Sequence, residues 1–221
     1  MVDLQELYQI LLKAQGHQRW WPGESPFEVM VGAILTQNTA WANVEKAISN
    51  LKGSNLLSFE GLENVGEEML AEIIRPAGYY NQKTKKLKRL ISYLRENYGG
   101  EVEAMTSRSL SSLREELLSV NGIGPETADS ILLYALEKPI FVVDTYTARL
   151  AMRLGLFFEA PDYHQLQEYF MDHLPKDVPL FNDFHAQIVR HGKDRCKKTK
   201  PRCSDCPLKD LCEFSVEATT D

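Results

Sequence analysis

The sequence predicts an all-α protein of roughly ten short helices, on three observations. Apolar residues recur at helical spacing, as in Leu4, Leu7, Tyr8, Leu11 and Leu12, and again in Leu87, Leu90, Ile91 and Leu94. Helix-ending residues punctuate the chain at short intervals: Gly53, Gly61, Pro76-Ala77-Gly78, Gly99-Gly100, Pro175 and Pro179. One run, Pro139-Ile140-Phe141-Val142-Val143, has strand composition. No second strand is available to pair with it, so it reads as a buried extended connector. Val216 to Asp221 reads as a frayed tail.

The composition is that of an ordinary globular chain, with 43% apolar and 25% charged residues in 221. That length can bury a real core in one large domain or two lobes. No apolar run reaches bilayer length, so no membrane partner is expected. Met1 to Glu6 carries neither a basic segment nor an apolar one, which reads as no export signal and a cytoplasmic chain with reduced thiols. The net charge of −6 argues against a nucleic-acid partner only on average, because DNA responds to local patches. Two such patches exist. Lys83, Lys85, Lys86, Lys88 and Arg89 crowd into seven residues, and Arg190, Lys193, Arg195, Lys197, Lys198, Lys200 and Arg202 into thirteen, opposed there by Asp194 alone. By itself either run describes a solvated face.

Along the chain, the first chemically suggestive feature is Trp20-Trp21-Pro22. In an extended segment two adjacent tryptophans cannot both face one core, so one of them is expected to line a cleft. Further on, Val120-Asn121-Gly122-Ile123-Gly124-Pro125 follows one helical stretch and opens another. Two glycines around an apolar residue permit a tight turn whose backbone can come close to a ligand. Pro125 suits a first helical turn, and the exposed N–H groups at Gly122, Gly124 and the new helix end could hold a phosphate. An ordinary helix–helix turn fits the same residues. Twenty residues after Gly124 stands Asp144, directly after the apolar connector; it could simply cap the next helix.

All four cysteines lie within seventeen residues, Cys196, Cys203, Cys206 and Cys212, spaced C-x6-C-x2-C-x5-C. In a reducing compartment this is a metal centre rather than a disulfide framework. Zinc favours paired knuckles, and only Cys203 and Cys206 form one. The wide outer gaps suit a 4Fe–4S cubane, with zinc as the alternative.

These motifs carry a resemblance. His191-Gly192, Cys196, Lys200-Pro201-Arg202-Cys203, Cys206 and Leu211-Cys212-Glu213 resemble the C-terminal cluster of the endonuclease III family of DNA glycosylases, and Gly122 to Ala128 resembles the helix-hairpin-helix of that superfamily. The likeness runs from about Leu7 to Phe214. It implies a two-lobed glycosylase fold, residues 23–136 forming a six-helix lobe with the hairpin, and 1–22 with 137–221 forming a second lobe that ends in a 4Fe–4S loop. It implies phosphate contacts from Gly122 and Gly124 and from Lys197, Lys198, Lys200 and Arg202, and a catalytic role for Asp144. Within the superfamily, Gly32-Ala33-Ile34-Leu35-Thr36-Gln37-Asn38-Thr39-Ala40-Trp41 and Arg75 to Lys83 are similar to the bacterial helix-hairpin-helix 3-methyladenine glycosylases, as is Glu126, which stands where bifunctional members carry a lysine nucleophile. That likeness implies an aromatic pocket built from Trp20, Trp21 and Trp41, a Gln37 that fills the gap left by an extruded base, and a Tyr79 wedge. Well-known bacterial members of that alkylpurine group lack the cluster that this chain keeps.

The expectation is therefore a monomeric, DNA-associated repair enzyme that flips a damaged base from double-stranded DNA and hydrolyses its N-glycosidic bond. Alkylated purine is the expected substrate. The rival readings are an endonuclease III-type enzyme with AP lyase activity on oxidised pyrimidines or mismatches, a non-catalytic DNA-binding module, and an iron–sulfur electron carrier.

Overall fold

The computed structural model describes residues 2–217, and among them every regular element is helical. The chain folds as two compact units, one formed by Trp21–Lys138 and the other by the residues up to Trp20 together with those from Pro139 onward.

In the unit 21–138, α2 (Pro26–Leu35) is the central helix. Ser25 caps it by accepting from the Glu28 N–H at 3.2 Å, and Pro26 occupies its first turn. Every residue from Glu28 to Leu35 is buried, as befits a helix enclosed on all sides. The one acidic residue among them, Glu28, is offset by Lys52 at 3.0 Å. Against α2 lie α3 (Trp41–Gly53) and α6 (Tyr80–Tyr98), while α4 (Phe59–Asn64) and α5 (Glu67–Ile73) pack on α6. The periodic residues Leu87, Leu90, Ile91 and Leu94 form the buried stripe of α6. Gly61 does not end a helix, contrary to expectation. It sits inside α4, where an added Cβ would meet the Leu56 backbone at 2.8 Å, so close packing and not termination explains this glycine.

The last helices of this unit are α7 (Leu110–Ser119) and α8 (Pro125–Ser130), the latter continuing as a wide π turn over Ile131–Ala135. A buried ion pair locks the two helices. The Arg114 guanidinium donates to both oxygens of Asp129, at 2.8 and 3.1 Å, and Asp129 is fully buried.

In the other unit α1 (Leu4–Gln15) buries Leu4, Leu7, Tyr8 and Leu11. Ile140 to Val143 is buried and has no regular secondary structure, as a connector should. Its backbone polarity is met in part by the Gln167 amide, which donates to the Phe141 carbonyl at 2.6 Å. The Phe141 ring stacks on Phe170 with centroids 4.6 Å apart and meets Phe181 and Phe184 edge-on. Then follow α9 (Thr145–Arg153), α10 (Tyr163–His173), α11 (Val178–Asp194) and α12 (Glu213–Glu217). Val216 and Glu217 thus belong to a helix rather than to the expected tail, whose remainder, 218–221, lies outside the described residues.

Replacing Arg114 with Met leaves a buried carboxylate without its counter-charge. The expected cost is about 3–5 kcal/mol, read as a lowered midpoint in urea unfolding.

Candidate functional site

The hairpin turn is built by its glycines. Gly122 adopts φ +103, a conformation strained for any L side chain, and a Cβ there would also strike Lys86 Cγ at 2.6 Å. Gly124 is extended, and a Cβ would meet nothing within 4 Å, so its backbone faces open space. Ala128 N–H donates to the Gly124 carbonyl and starts α8. Three side chains brace this turn. Gln37 donates from Nε2 to the Gly122 carbonyl at 3.1 Å and to Thr127 Oγ1 at 2.9 Å, and its Oε1 accepts from Lys86 Nζ at 2.5 Å. From α6, Arg89 donates to Asn121 Oδ1 at 2.6 Å.

The first basic run is therefore no uniform solvated face. Lys83 is buried, and Lys88 Nζ is held by the carbonyls of Leu62, Glu63 and Val65, while Lys85 and Arg89 stay exposed. Tyr79 stands at the head of α6 with φ +47 and is 65% exposed.

Trp21 and Trp41 meet edge to face with centroids 5.2 Å apart, and Trp21 also contacts Tyr134, on the wide turn after α8, at 5.4 Å. Gly32 makes room for Trp21, since a Cβ would come within 3.1 Å of its ring. The two tryptophans wall a cavity of about 230 Å³ whose polar lining includes Glu28, Glu45 and Lys52. Trp20 is half-buried.

In the other unit, Asp144 caps α9. Its Oδ1 accepts from the N–H groups of Tyr146 (2.9 Å) and Thr147 (2.8 Å) and from Thr147 Oγ1 (3.0 Å), while Oδ2 lies 3.7 Å from His185 Nε2. Burial alone would raise the pKa of this carboxyl. The adjoining His185 and the donors of Thr147 outweigh burial and hold it below the ordinary carboxylate value. The helix N-terminus favours the same charge state.

The four cysteines line one cavity, with Leu150, Arg153, His191 and Arg195 around them. Burial, and then the charges of the other cysteines, raise the thiol pKa of Cys206 and Cys212. Only a bound cation would hold such a set as thiolates. Arg153 Nη1 donates to Cys196 Sγ at 3.1 Å and to the Lys197 carbonyl at 2.9 Å. Burial, helped by Arg195 and Arg149, pulls His191 down to about 4, so the ring beside Cys206 is neutral. Among the described residues no three Cys, His, Asp or Glu side chains are gathered as a single ion requires. Lys197, Lys198 and Lys200 are exposed, whereas Arg202 is paired with Asp205 at 2.5 Å.

The sequence patterns had not singled out His185, Tyr134 or Arg153. His185 was reachable: it shares the helical stripe of Phe181, Phe184 and Ile188, an apolar face on which a histidine is conspicuous. The others depended on which elements pack together.

Residues 31–176 match the model of the HhH-GPD superfamily base excision DNA repair proteins. A Methanocaldococcus jannaschii protein, provisionally described as a DNA repair glycosylase, is 52% identical over 208 residues, 94% of each chain. The fold is similar to a non-covalent endonuclease III–DNA complex, with TM-score 0.85, 25% identity and full coverage of both chains. It is also similar to the Helicobacter pylori 3-methyladenine glycosylase MagIII bound to 1,N6-ethenoadenine, with TM-score 0.77, 30% identity and coverage of 87% of this chain and 98% of that one. Among the described residues no helix is long and apolar enough to cross a membrane.

The state of Asp144 has a measurable consequence. A depressed carboxylate stabilises the fold above its unfolded pKa, and that contribution fades as pH falls through the lower folded value. Asn caps helices about as well as Asp. The stability gap between wild type and Asp144→Asn should therefore be widest above pH ~4 and close below it, as measured by urea unfolding across pH, whereas Asp144→Ala should cost about 1–2 kcal/mol more by losing the cap.

Proposed function

Because the chain belongs to the HhH-GPD superfamily of base excision DNA repair glycosylases, we propose that it releases alkylated purines of the 3-methyladenine type from duplex DNA, using water and no protein nucleophile. The observation that carries this reading is the aromatic cavity of Trp21 and Trp41, whose lining includes Glu45 besides the neutralised pair Glu28–Lys52. An alkylated purine is cationic, and electron-rich ring faces attract such a base by cation–π stacking, with the Glu45 carboxylate adding to the attraction. Trp20 would offer the base a further ring face. The positive charge also makes the base a good leaving group, so the site needs little acid catalysis.

As the glycosidic bond breaks, positive charge builds on the sugar. Asp144, held ionised, stabilises that charge and orients the water that adds to the sugar carbon. The second position after Gly124 carries Glu126 and α8 contains no lysine, which supports hydrolysis to an abasic site without a Schiff base. The Gly122–Gly124 turn and Lys197, Lys198, Lys200 and Arg202 contact phosphates. Tyr79, exposed at a helix head, wedges the stack, and Gln37 enters the gap by exchanging its bonds to the hairpin for bonds to the bases.

The four cysteines surround one cavity, and their spacing, with a single Cys-x2-Cys pair and wide outer gaps, suits a 4Fe–4S core better than zinc. Bound there, the cluster would cross-link the basic loop and supply no step of the hydrolysis.

Base release from methylated, oxidised and uracil-containing duplexes, with the free bases identified, tests the substrate. Methylated purine should dominate; release of oxidised pyrimidine alone would overturn the aromatic argument. Asp144→Asn should slow release by about 10²–10³-fold. Borohydride should trap no covalent adduct on abasic DNA. Cys203→Ser should lose the broad brown absorbance of the purified protein; a colourless wild type that contains zinc would exclude the cluster.

A further inference from the structure

Lys83 lies within the first basic run, yet it is 2% exposed. Its Nζ donates to two backbone carbonyls, Leu35 and Ala77, each at 2.8 Å. Burying an ammonium against neutral carbonyls is costly, and burial, followed by the charge of Lys86, brings its pKa down to about 8. A methionine would fill the same volume without that cost. What the nitrogen holds together must therefore account for it.

Leu35 is the last residue of α2, whose closing carbonyls lack helical partners. The turn that follows carries Gln37 and then Asn38 at φ +51. Ala77 closes the short 3-10 turn Arg75–Ala77, after which come Gly78 at φ +68 and Tyr79 at φ +47. A left-handed tyrosine is strained and persists only where its surroundings over-determine it. Here the Lys83 backbone N–H donates to the Tyr79 carbonyl at 3.0 Å while its side chain reaches Ala77. Lys83 thus brackets Tyr79 on both sides. Thr39 Oγ1 donates to the same Ala77 carbonyl at 2.5 Å. One buried nitrogen ties the loop that bears Gln37 to the loop that bears Tyr79.

We infer that Lys83 is a positioning residue for base extrusion, which sets the spacing of Gln37 and Tyr79 so that both enter the duplex together. This rests on the roles proposed above for those two side chains, but not on which base is excised.

The test uses the full-length protein and a duplex with 2-aminopurine opposite a tetrahydrofuran abasic analogue, so no chemistry is needed. Lys83→Met keeps the length of the side chain and removes the donor. It should bind the duplex within about threefold of wild type, because the phosphate contacts are elsewhere. The fluorescence rise that reports unstacking should fall by about tenfold. Adding Tyr79→Ala should cause no further loss, since residues acting as one unit are non-additive. A full fluorescence rise in Lys83→Met would overturn the inference, as would losses that multiply in the double variant. If Lys83→Met melts far below wild type, Thr39→Val removes only the second donor to Ala77 and should show the same selective loss in smaller measure; a normal rise there, with Lys83→Met unfolded, would make Lys83 structural only. Failure of the alkylpurine reading would instead appear in base release, with these signals intact.

Discussion

The proposed hydrolysis depends on keeping one carboxylate ionised where little water reaches it. Asp144 meets that demand by dividing its two oxygens. Oδ1 is committed to the first turn of α9 through three donors, and Oδ2 is left toward His185. The cap therefore does more than end a helix: it supplies the hydrogen bonds that offset the desolvation of the charge. The buried connector Ile140–Val143, fixed by the aromatic stack around Phe141, delivers the aspartate to that helix end. Fold and charge state are inseparable at this position.

In the 21–138 unit the same logic operates through backbone carbonyls. Lys83, Lys88, Gln37 and Arg89 all donate to main-chain oxygens at turns or helix ends. Long side chains from α6 thereby hold loops that have little hydrophobic area of their own. Buried carbonyls left unpaired would be costly, so each such bond also restricts where its loop can go. The Arg114–Asp129 pair does the same for the hairpin helices, at the expense of a buried charge.

An acidic chain that belongs to a DNA repair superfamily is consistent once charge is considered locally. Asp205 pairs with Arg195 and Arg202, whereas Lys197, Lys198 and Lys200 of the same loop are exposed and form no ion pair with it. Arg153 holds that loop by its carbonyls and touches a cysteine sulfur with the same guanidinium. The order of the basic loop is thus coupled to the order of the cysteine set.

The helical class, the superfamily and the enzymatic class were all legible in the chain, because periodicity, glycine turns and cysteine spacing are local signals. The buried stripes of α1 and α6 fall on the residues that the periodicity marks. Gly61 misled because close packing and helix termination use the same residue for different reasons. What only the tertiary structure decided is which polar groups face one another: Lys83 buried within an apparent surface run, Gln37 bound to a turn eighty-five residues away, Trp21 against Tyr134, His185 beside Asp144. Such pairings depend on how helices distant in sequence pack, and burial together with the partners it brings then sets the charge state of Lys83 and Asp144. No pattern along a single chain encodes that packing.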